Sequence, residues 1–228
     1  MARRPRVAPG GYPLHVLNRA AGRIRLLNSD ADFLAFERLL VEAHARHPIA
    51  IYSYCLMGNH WHLVVHPERD GQVTAFFKWL THAHAMRWRT AKKTVGHGPL
   101  YQGRFKSFLI EEDLHLLSVC RYVERNALSA GLVKRAQDWR WSSLFVRQHG
   151  TKEMKGILSP WPVDRPLDWV RQVNAPLTAK EMDALKPSLQ RGRPYGDSDW
   201  VAKTTGNLGL IHTVRREGRP EKKVIGGN

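Results

Sequence analysis

The chain has 228 residues, which is enough for one well-packed core with a further segment left over. Its 36 Lys and Arg residues outnumber the 20 Asp and Glu residues and give a formal net charge of +16. An excess of this size favours a polyanionic partner, with nucleic acid as the first expectation and an anionic membrane as the second. No apolar run approaches the ~18 residues that a membrane-spanning helix needs, so no membrane insertion is expected.

The N-terminus and the cysteines indicate where the protein works. The basic segment 1–6 lacks the apolar core of a signal peptide. Cys55 and Cys120 lie far apart without a Cys-x-x-Cys motif, which argues against both a disulfide framework and a zinc finger. Together with the positive charge, these features predict a cytoplasmic protein that associates with the nucleoid.

Apolar spacing predicts the order of strands and helices along the first two thirds of the chain. Helices are indicated where apolar residues recur at steps of three and four, and strands where they alternate or form short runs. In chain order the predicted elements are a strand at 12–18, a helix at 29–47, a hairpin of strands at 49–56 and 60–66, a helix at 70–90, a strand at 104–110 and a helix from 111 to about 129.

This order predicts an α+β fold. A β-α-β-β-α-β succession with one extra helix is typical of the ferredoxin-like or RNA-recognition-like arrangement, an antiparallel sheet with helices on one face. We assign residues 1–150 to this domain. Residues 151–228 contain a Pro-rich connector at 159–166 and a capping box at 178–181, and we expect a basic C-terminal appendage with little core of its own.

A His-x-His triplet opens the second strand of the hairpin. Because side chains alternate between the faces of a strand, His60 and His62 point the same way and Trp61 points into the core. Two imidazoles on one face form the outline of a metal site, and two ordinary sheet histidines are the alternative. His82 and His84 show the same spacing inside a helical pattern, where positions i and i+2 lie on different sides and cannot share a metal.

The last predicted core helix carries a polar stripe. Tyr122 and Asn126 are four residues apart and therefore lie one above the other, away from the apolar stripe that contains Leu116 and Cys120. A tyrosine packed at the border between helix and sheet, and an asparagine that caps the helix end, are the alternative interpretations. His115 lies on the same stripe and could serve the site, although an ordinary surface role is favoured for it.

These motifs resemble a known family. His60-Trp61-His62 fits the His-hydrophobic-His (HUH) motif of single-tyrosine transposases, and Tyr122-x-x-x-Asn126 fits their nucleophile helix. The segments 103–108, 139–143 and 191–196 resemble the branch called REP-associated tyrosine transposases. Many relatives place proline directly after the asparagine; here Ala127 follows, which predicts that the helix continues for a further turn.

The resemblance implies an enzyme that cleaves and rejoins single-stranded DNA beside a hairpin through a covalent 5′-phosphotyrosine. Tyr122 would be the nucleophile, and His60, His62 and Asn126 would hold Mg²⁺ or Mn²⁺. Imidazole by itself favours Zn, Fe or Ni, but the family favours Mg²⁺ or Mn²⁺, so we expect a site of weak affinity in the absence of DNA. Within the family, insertion-sequence relatives work as dimers, while the REP-associated branch favours a monomer, with a dimer as the alternative.

Basic residues predict where DNA would bind. Residues 71–110 contain seven Lys or Arg residues and no acid, with aromatic residues between them that could stack on unpaired bases. The tail segment 191–194 resembles an arginine hook for the minor groove, and a disordered solubilising tail is the alternative. Arg104 and Lys106 are the first candidates for DNA contacts, and the other predicted contacts are Arg19, Arg87, Arg89, Lys92, Lys93, Arg191 and Arg193.

Two other functions compete with the strand-transfer enzyme. One is a non-cleaving hairpin-DNA-binding protein descended from a transposase, and the other is a metallohydrolase that uses an activated water. The presence of Tyr122, His60 and His62 together argues against the first, and the second leaves Tyr122 without a role.

Overall fold

The computed structural model of the protein describes residues 7–214, without the side chain of Arg23. Four strands, β1 to β4, form one antiparallel sheet in the order β2-β3-β1-β4. The strands are Leu14–Arg19, Ala50–Leu56, His60–His66 and Lys106–Leu109. The helices α1 to α10 are Asp30–Arg46, Gln72–Ala91, Leu114–Glu124, Asn126–Ser129, Ser143–His149, Lys152–Gly156, Trp169–Asn174, Ala179–Arg191, Ser198–Asn207 and Ile211–Val214.

The arrangement confirms the predicted α+β class. Strand and helix order follow the ferredoxin-like pattern, in which β1 and β3 are the central strands and β2 and β4 the edges. α1 begins at the predicted position because Ser29 and Asp32 form a reciprocal capping box. β4 is shorter than the predicted 104–110, because its pairing with β1 runs only from Leu17–Lys106 to Leu14–Leu109.

The register of β1 against β3 decides which side chains share a face. Leu17 lies opposite His62 and Arg19 lies opposite His60. Side chains that are directly opposite each other in an antiparallel pair point to the same face of the sheet. The alternate residues, including Trp61, therefore face the other side.

α1 and α2 cover that other side. Trp61 is fully buried there and stacks on Phe77 of α2, with ring centroids 5.5 Å apart. Phe36 of α1 belongs to the same apolar cluster. Burial of these large aromatic side chains stabilises the position of β3.

α3 covers the opposite face of the sheet. Val119, Cys120 and Val123 are fully buried against β2 and β3. The helix predicted to reach Ser129 is divided into α3 and α4 at Arg125. The ψ angle of Arg125 is −10°, which is closer to zero than the ψ of about −42° in a regular α-helix. A helical turn does follow Asn126, as the alanine in place of proline predicts.

The C-terminal region packs on both faces of the first domain. Trp169 and Val173 are buried in the same cluster as α3, whereas Met154 and Leu210 join the cluster under α1 and α2. The tail segment 191–196 lies along the end of β4, where the Tyr195 amide donates to Leu109 and the Glu111 amide donates to Tyr195. The second Gly-Arg-Pro triplet, at 218–220, is outside the described residues.

Three residues around Tyr122 tie α3 to the C-terminal region. The Arg121 guanidinium donates to the carbonyls of residues 172, 175 and 176 and pairs with Glu181 at 2.8 Å. Arg125 donates to the carbonyls of residues 173 and 174. The fully buried Glu124 accepts from Ser143 at 2.6 Å and from the Trp169 indole at 2.7 Å.

Among the described residues no helix is long and apolar enough to cross a membrane.

We predict that Glu124 makes stability depend on pH. Burial raises the pKa of this carboxyl above its ordinary value of 4.5, and the two hydrogen bonds only partly offset the effect. The protonated acid is thus favoured in the folded state, so its contribution is fully present below pH 4.5 and is lost as the pH rises through the raised pKa. Urea unfolding should show the stability of the wild type falling relative to Glu124→Gln as the pH rises above 4.5. Glu112→Gln, which changes an exposed carboxyl, is the control. A stability difference between the wild type and Glu124→Gln that does not vary with pH would contradict this interpretation.

Candidate functional site

His60 and His62 of β3 lie side by side on the face that α3 covers. Their ring centroids are 5.0 Å apart and their planes meet at 84°. Because β3 is a regular strand here, the alternation that brings them together also places Trp61 in the opposite core. The rings therefore share one cavity.

Both rings are neutral at physiological pH. Burial lowers the pKa of His60 to about 4, and the charge of Arg19 acts in the same direction. Burial also lowers the pKa of His62 well below its usual range. His60 Nδ1 donates to Asn59 Oδ1 at 2.6 Å, which leaves Nε2 with a lone pair. A neutral imidazole with a free nitrogen is the form that ligates metals.

Tyr122 reaches this cavity from α3. Its ring centroid lies 5.7 Å from that of His62, with the planes at 88°. Burial raises the pKa of the phenol, while a side-chain hydrogen bond with Asn126 and the charge of Arg19 lower it. The hydroxyl is therefore protonated at neutral pH and has to lose its proton during any nucleophilic attack.

Asn126 lies between the phenol and the first histidine. Its side chain makes a hydrogen bond with Tyr122 and another with His60. Tyr122 and Asn126 are four residues apart across the α3–α4 junction, and the backbone at Arg125 keeps a right-handed turn, so the two side chains stay on one side. The amide therefore links the phenol of Tyr122 to the imidazole of His60.

These side chains line a cavity of about 450 Å³. Its wall also contains three of the predicted DNA-contacting cations, namely Arg19, Arg104 and Lys106, all of which are exposed. Leu189 of α8 completes the wall on the side of the C-terminal region. The remaining lining residues are Leu17, Asn18, Gln102 and Gly103.

The other predicted cations lie elsewhere. Arg87 makes a two-pronged ion pair with Glu42 at 2.7 Å, and Lys92 pairs with Asp32 at 2.8 Å. Arg89 donates to Thr94 and to the carbonyls of residues 97 and 98, which holds the loop after α2. These residues, with the exposed Lys93, belong to the α1–α2 side of the sheet, away from Tyr122.

The tail arginines lie nearer to the site. Arg191 lines a second cavity, of about 390 Å³, which shares Arg104, Lys106 and Leu189 with the first. Arg193 follows it and is half-buried. The tail segment 191–196 is therefore attached to the β4 edge of the sheet, beside the histidine cavity.

The second His-x-His pair behaves as the helical pattern predicts. His84 is buried on α2 and shares a hydrogen bond of 2.7 Å with Tyr101, whereas His82 is exposed. The two imidazoles face different surroundings and do not form a joint site.

Sequence patterns missed one buried histidine. His15 of β1 is fully buried and shares a hydrogen bond of 2.9 Å with His62 Nδ1. Leu189, Gln102 and Asn18 were also not predicted as lining residues. His15 stands in an ordinary apolar strand, so only the pairing of β1 with β3 could have brought it to attention.

A separate group of candidate metal ligands lies at the start of α3. The ligand atoms of Glu111, Asp113 and His115 are within 4.8 Å of one another. They already bond among themselves: Asp113 accepts from the His115 ring at 2.8 Å and from its amide at 2.7 Å, and Glu111 accepts from the Asp197 amide. His115 is seven residues from Tyr122, about 10 Å along the helix. The group is therefore distinct from the histidine cavity.

The donor atoms of the histidine cavity fit a divalent metal. Because the Nδ1 atoms of His60 and His62 bond to Asn59 and His15, Nε2 is the nitrogen that each ring has for a metal. Asn126, which contacts His60, adds an amide oxygen. Two nitrogens and one oxygen leave coordination positions for water and for phosphate oxygens.

Comparison with known proteins gives the family. Residues 11–126 match the family described as IS200-like transposases, a match that spans just over half of the 228 residues. The chain belongs to this transposase family, which confirms the family resemblance inferred from the motifs and marks it as an enzyme acting on DNA.

Comparison with curated protein sequences finds no match to the chain. Among solved structures, the chain is similar to one described as a REP-associated tyrosine transposase bound to a REP hairpin. That similarity has a TM-score of 0.49 and 19% sequence identity, and it covers 73% of this chain and 99% of the other.

Proposed function

We propose that this transposase cleaves and rejoins single-stranded DNA beside hairpins, with Tyr122 as the nucleophile. The observation that carries the proposal is the contact between the Tyr122 ring and His62, at 5.7 Å between centroids, within one cavity. A half-buried phenol among neutral imidazoles and exposed cations suits attack on a phosphodiester. An ordinary packing tyrosine would not need the contacts with Asn126 and His62.

In the proposed reaction the Tyr122 oxygen attacks phosphorus. A bond forms between the phenol oxygen and phosphorus, and the bond between phosphorus and the 3′ oxygen breaks. The tyrosine then carries the 5′ phosphate, and the proton that the phenol loses is balanced by the one that the 3′ hydroxyl gains. Since the phosphodiester is exchanged rather than hydrolysed, a free 3′ hydroxyl can reverse the step and join strands.

His60, His62 and Asn126 would hold the divalent metal, Mg²⁺ or Mn²⁺. When bound, the metal supplies charge neutralisation at the phosphate oxygens. The protein contributes fixed positions: Asn59 orients His60, the β1–β3 pairing orients His62, and Asn126 keeps the phenol next to both. Arg19, Arg104 and Lys106 around the cavity attract the DNA backbone.

One chain supplies the whole proposed set of residues. Tyr122 and the two histidines come from the same molecule, so a partner subunit is not needed to complete the site. We therefore propose a monomer as the active form, acting on DNA in the nucleoid of the cytoplasm.

The nucleophile is tested by covalent trapping. Incubation with a labelled single-stranded hairpin oligonucleotide and Mn²⁺ is expected to give a protein–DNA adduct that survives denaturing electrophoresis. Tyr122→Phe removes the attacking oxygen and should abolish the adduct, at least about 1,000-fold. Tyr101→Phe, which removes a buried hydroxyl on the other side of the sheet, is the matched control and should retain the adduct.

Each other outcome of this trapping experiment favours a different function. An adduct that persists in Tyr122→Phe contradicts the assignment of the nucleophile. Cleavage without any adduct in the wild type supports a metallohydrolase, and tight hairpin binding without cleavage supports a binding protein.

The metal ligands are tested by comparing the two candidate groups. We predict that His60→Ala and His62→Ala each lower metal-dependent cleavage by at least about 100-fold, because each removes an imidazole ligand. His115→Ala, in the second group, should retain cleavage to within about threefold. The measurement is the initial rate of cleavage as a function of Mn²⁺ concentration, and loss of cleavage only in His115→Ala would place the metal in the other group.

The DNA surface is tested by removing two equal sets of charge. We predict that Arg104→Ala with Lys106→Ala weakens binding of a single-stranded oligonucleotide and lowers the salt slope by about 1.4, the value for two phosphate contacts. Arg87→Ala with Lys92→Ala removes the same charge from the α1–α2 side and should leave the slope nearly unchanged. Fluorescence anisotropy at several salt concentrations measures both, and equal effects of the two double variants would show that only net charge matters.

A further inference from the structure

His15 lies directly behind one of the proposed metal ligands. It is on β1, opposite Val64 of β3 and Phe108 of β4, and its side chain is fully buried on the face that α3 covers. Its Nε2 is 2.9 Å from His62 Nδ1, and the two ring centroids are 5.1 Å apart. The two imidazoles therefore share one hydrogen bond inside the core.

The other nitrogen of His15 has no visible role. Nδ1 is buried and has no hydrogen-bond partner among the described residues. The ring packs on Phe108 at 4.8 Å and lies near the edge of Tyr122 at 6.2 Å. A polar atom left without a partner in such surroundings is costly, and an apolar side chain would avoid the cost. The hydrogen bond with His62 is therefore the interaction that can explain an imidazole at this buried position.

The direction of the shared hydrogen bond decides whether His62 can ligate a metal. A neutral imidazole carries one proton. If His62 Nδ1 donates to His15, the lone pair of His62 is on Nε2 and is available to a metal. If His15 donates instead, the proton of His62 is on Nε2, and this nitrogen cannot ligate.

His60 shows how the first of these arrangements is obtained. Its Nδ1 donates to Asn59 Oδ1 at 2.6 Å, and this carbonyl oxygen can only accept. Both proposed ligands thus have a partner behind Nδ1, Asn59 for one and His15 for the other. Metal-ligating histidines commonly donate the second ring N–H to such an acceptor, which fixes the tautomer and orientation of the ring.

We propose that His15 is a positioning residue that accepts from His62 Nδ1 and thereby keeps the Nε2 lone pair of His62 ready for the metal. The inference rests on the proposed metal site at His60 and His62. His15 touches neither DNA nor metal in this account; it acts through His62 alone.

The tautomer can be measured without metal or DNA. Long-range ¹H–¹⁵N NMR spectra of the wild-type protein are expected to show His62 protonated on Nδ1. A wild-type His62 protonated on Nε2 would overturn the proposal. This readout does not depend on activity, so it stands even if the assignment of the nucleophile fails.

Metal affinity provides the second test, with Mn²⁺ alone as the probe followed by electron paramagnetic resonance. His15→Leu removes the acceptor and is expected to weaken Mn²⁺ binding by about 10- to 100-fold, the usual effect of losing an outer-shell partner. His15→Gln places an amide oxygen near the position of Nε2 and should restore affinity to within a few-fold. His84→Leu removes an equally buried histidine from the other side of the sheet and is the matched control.

The outcomes separate the positioning role from the site itself. If His62→Ala weakens Mn²⁺ binding but His15→Leu does not, the proposal for His15 is wrong and the metal site stands. If His62→Ala leaves Mn²⁺ binding unchanged, the metal site is wrong, and the NMR tautomer alone decides about His15. Equal weakening by His84→Leu and His15→Leu would indicate a general loss of stability and overturn the positioning role.

Discussion

The antiparallel register between β1 and β3 is the constraint on which the rest of the site depends. A shift of one residue would turn every side chain of β3 to the opposite face. His60 and His62 would then enter the core under α1 and α2, and Trp61 would enter the cavity. The full burial of Trp61 and its stacking on Phe77 oppose this shift. Apolar packing on one face of the sheet thus positions the polar chemistry on the other.

The second requirement is the position of α3. Tyr122 faces the histidines because its neighbours Arg121, Glu124 and Arg125 are held by carbonyls and side chains from beyond residue 140. Leu189 of the same C-terminal region lines the cavity. The C-terminal region therefore takes part in supporting α3, which carries the proposed nucleophile, in addition to contributing basic residues to the surface.

Local patterns are sufficient for the strands and helices up to α4 and for part of the site. Short apolar runs predict the hairpin, strand alternation predicts that His60 and His62 share one face, and helical spacing predicts that Tyr122 and Asn126 lie together. The limits were set by contacts between distant segments. His15 is 47 positions from His62, and nothing in its own strand distinguishes it from a core residue. Likewise, a count of positive charges does not show that Arg87 and Lys92 are paired with acids of α1.

We propose that one chain brings a phenol and two imidazoles together around one divalent ion. Anomalous diffraction from crystals grown with Mn²⁺ and a single-stranded hairpin tests it most directly. We expect a peak bonded to His60 and His62, with the Tyr122 hydroxyl of the same chain facing the adjacent phosphate. A peak at Glu111, Asp113 and His115 instead, or a cavity approached by the tyrosine of another molecule, would contradict it.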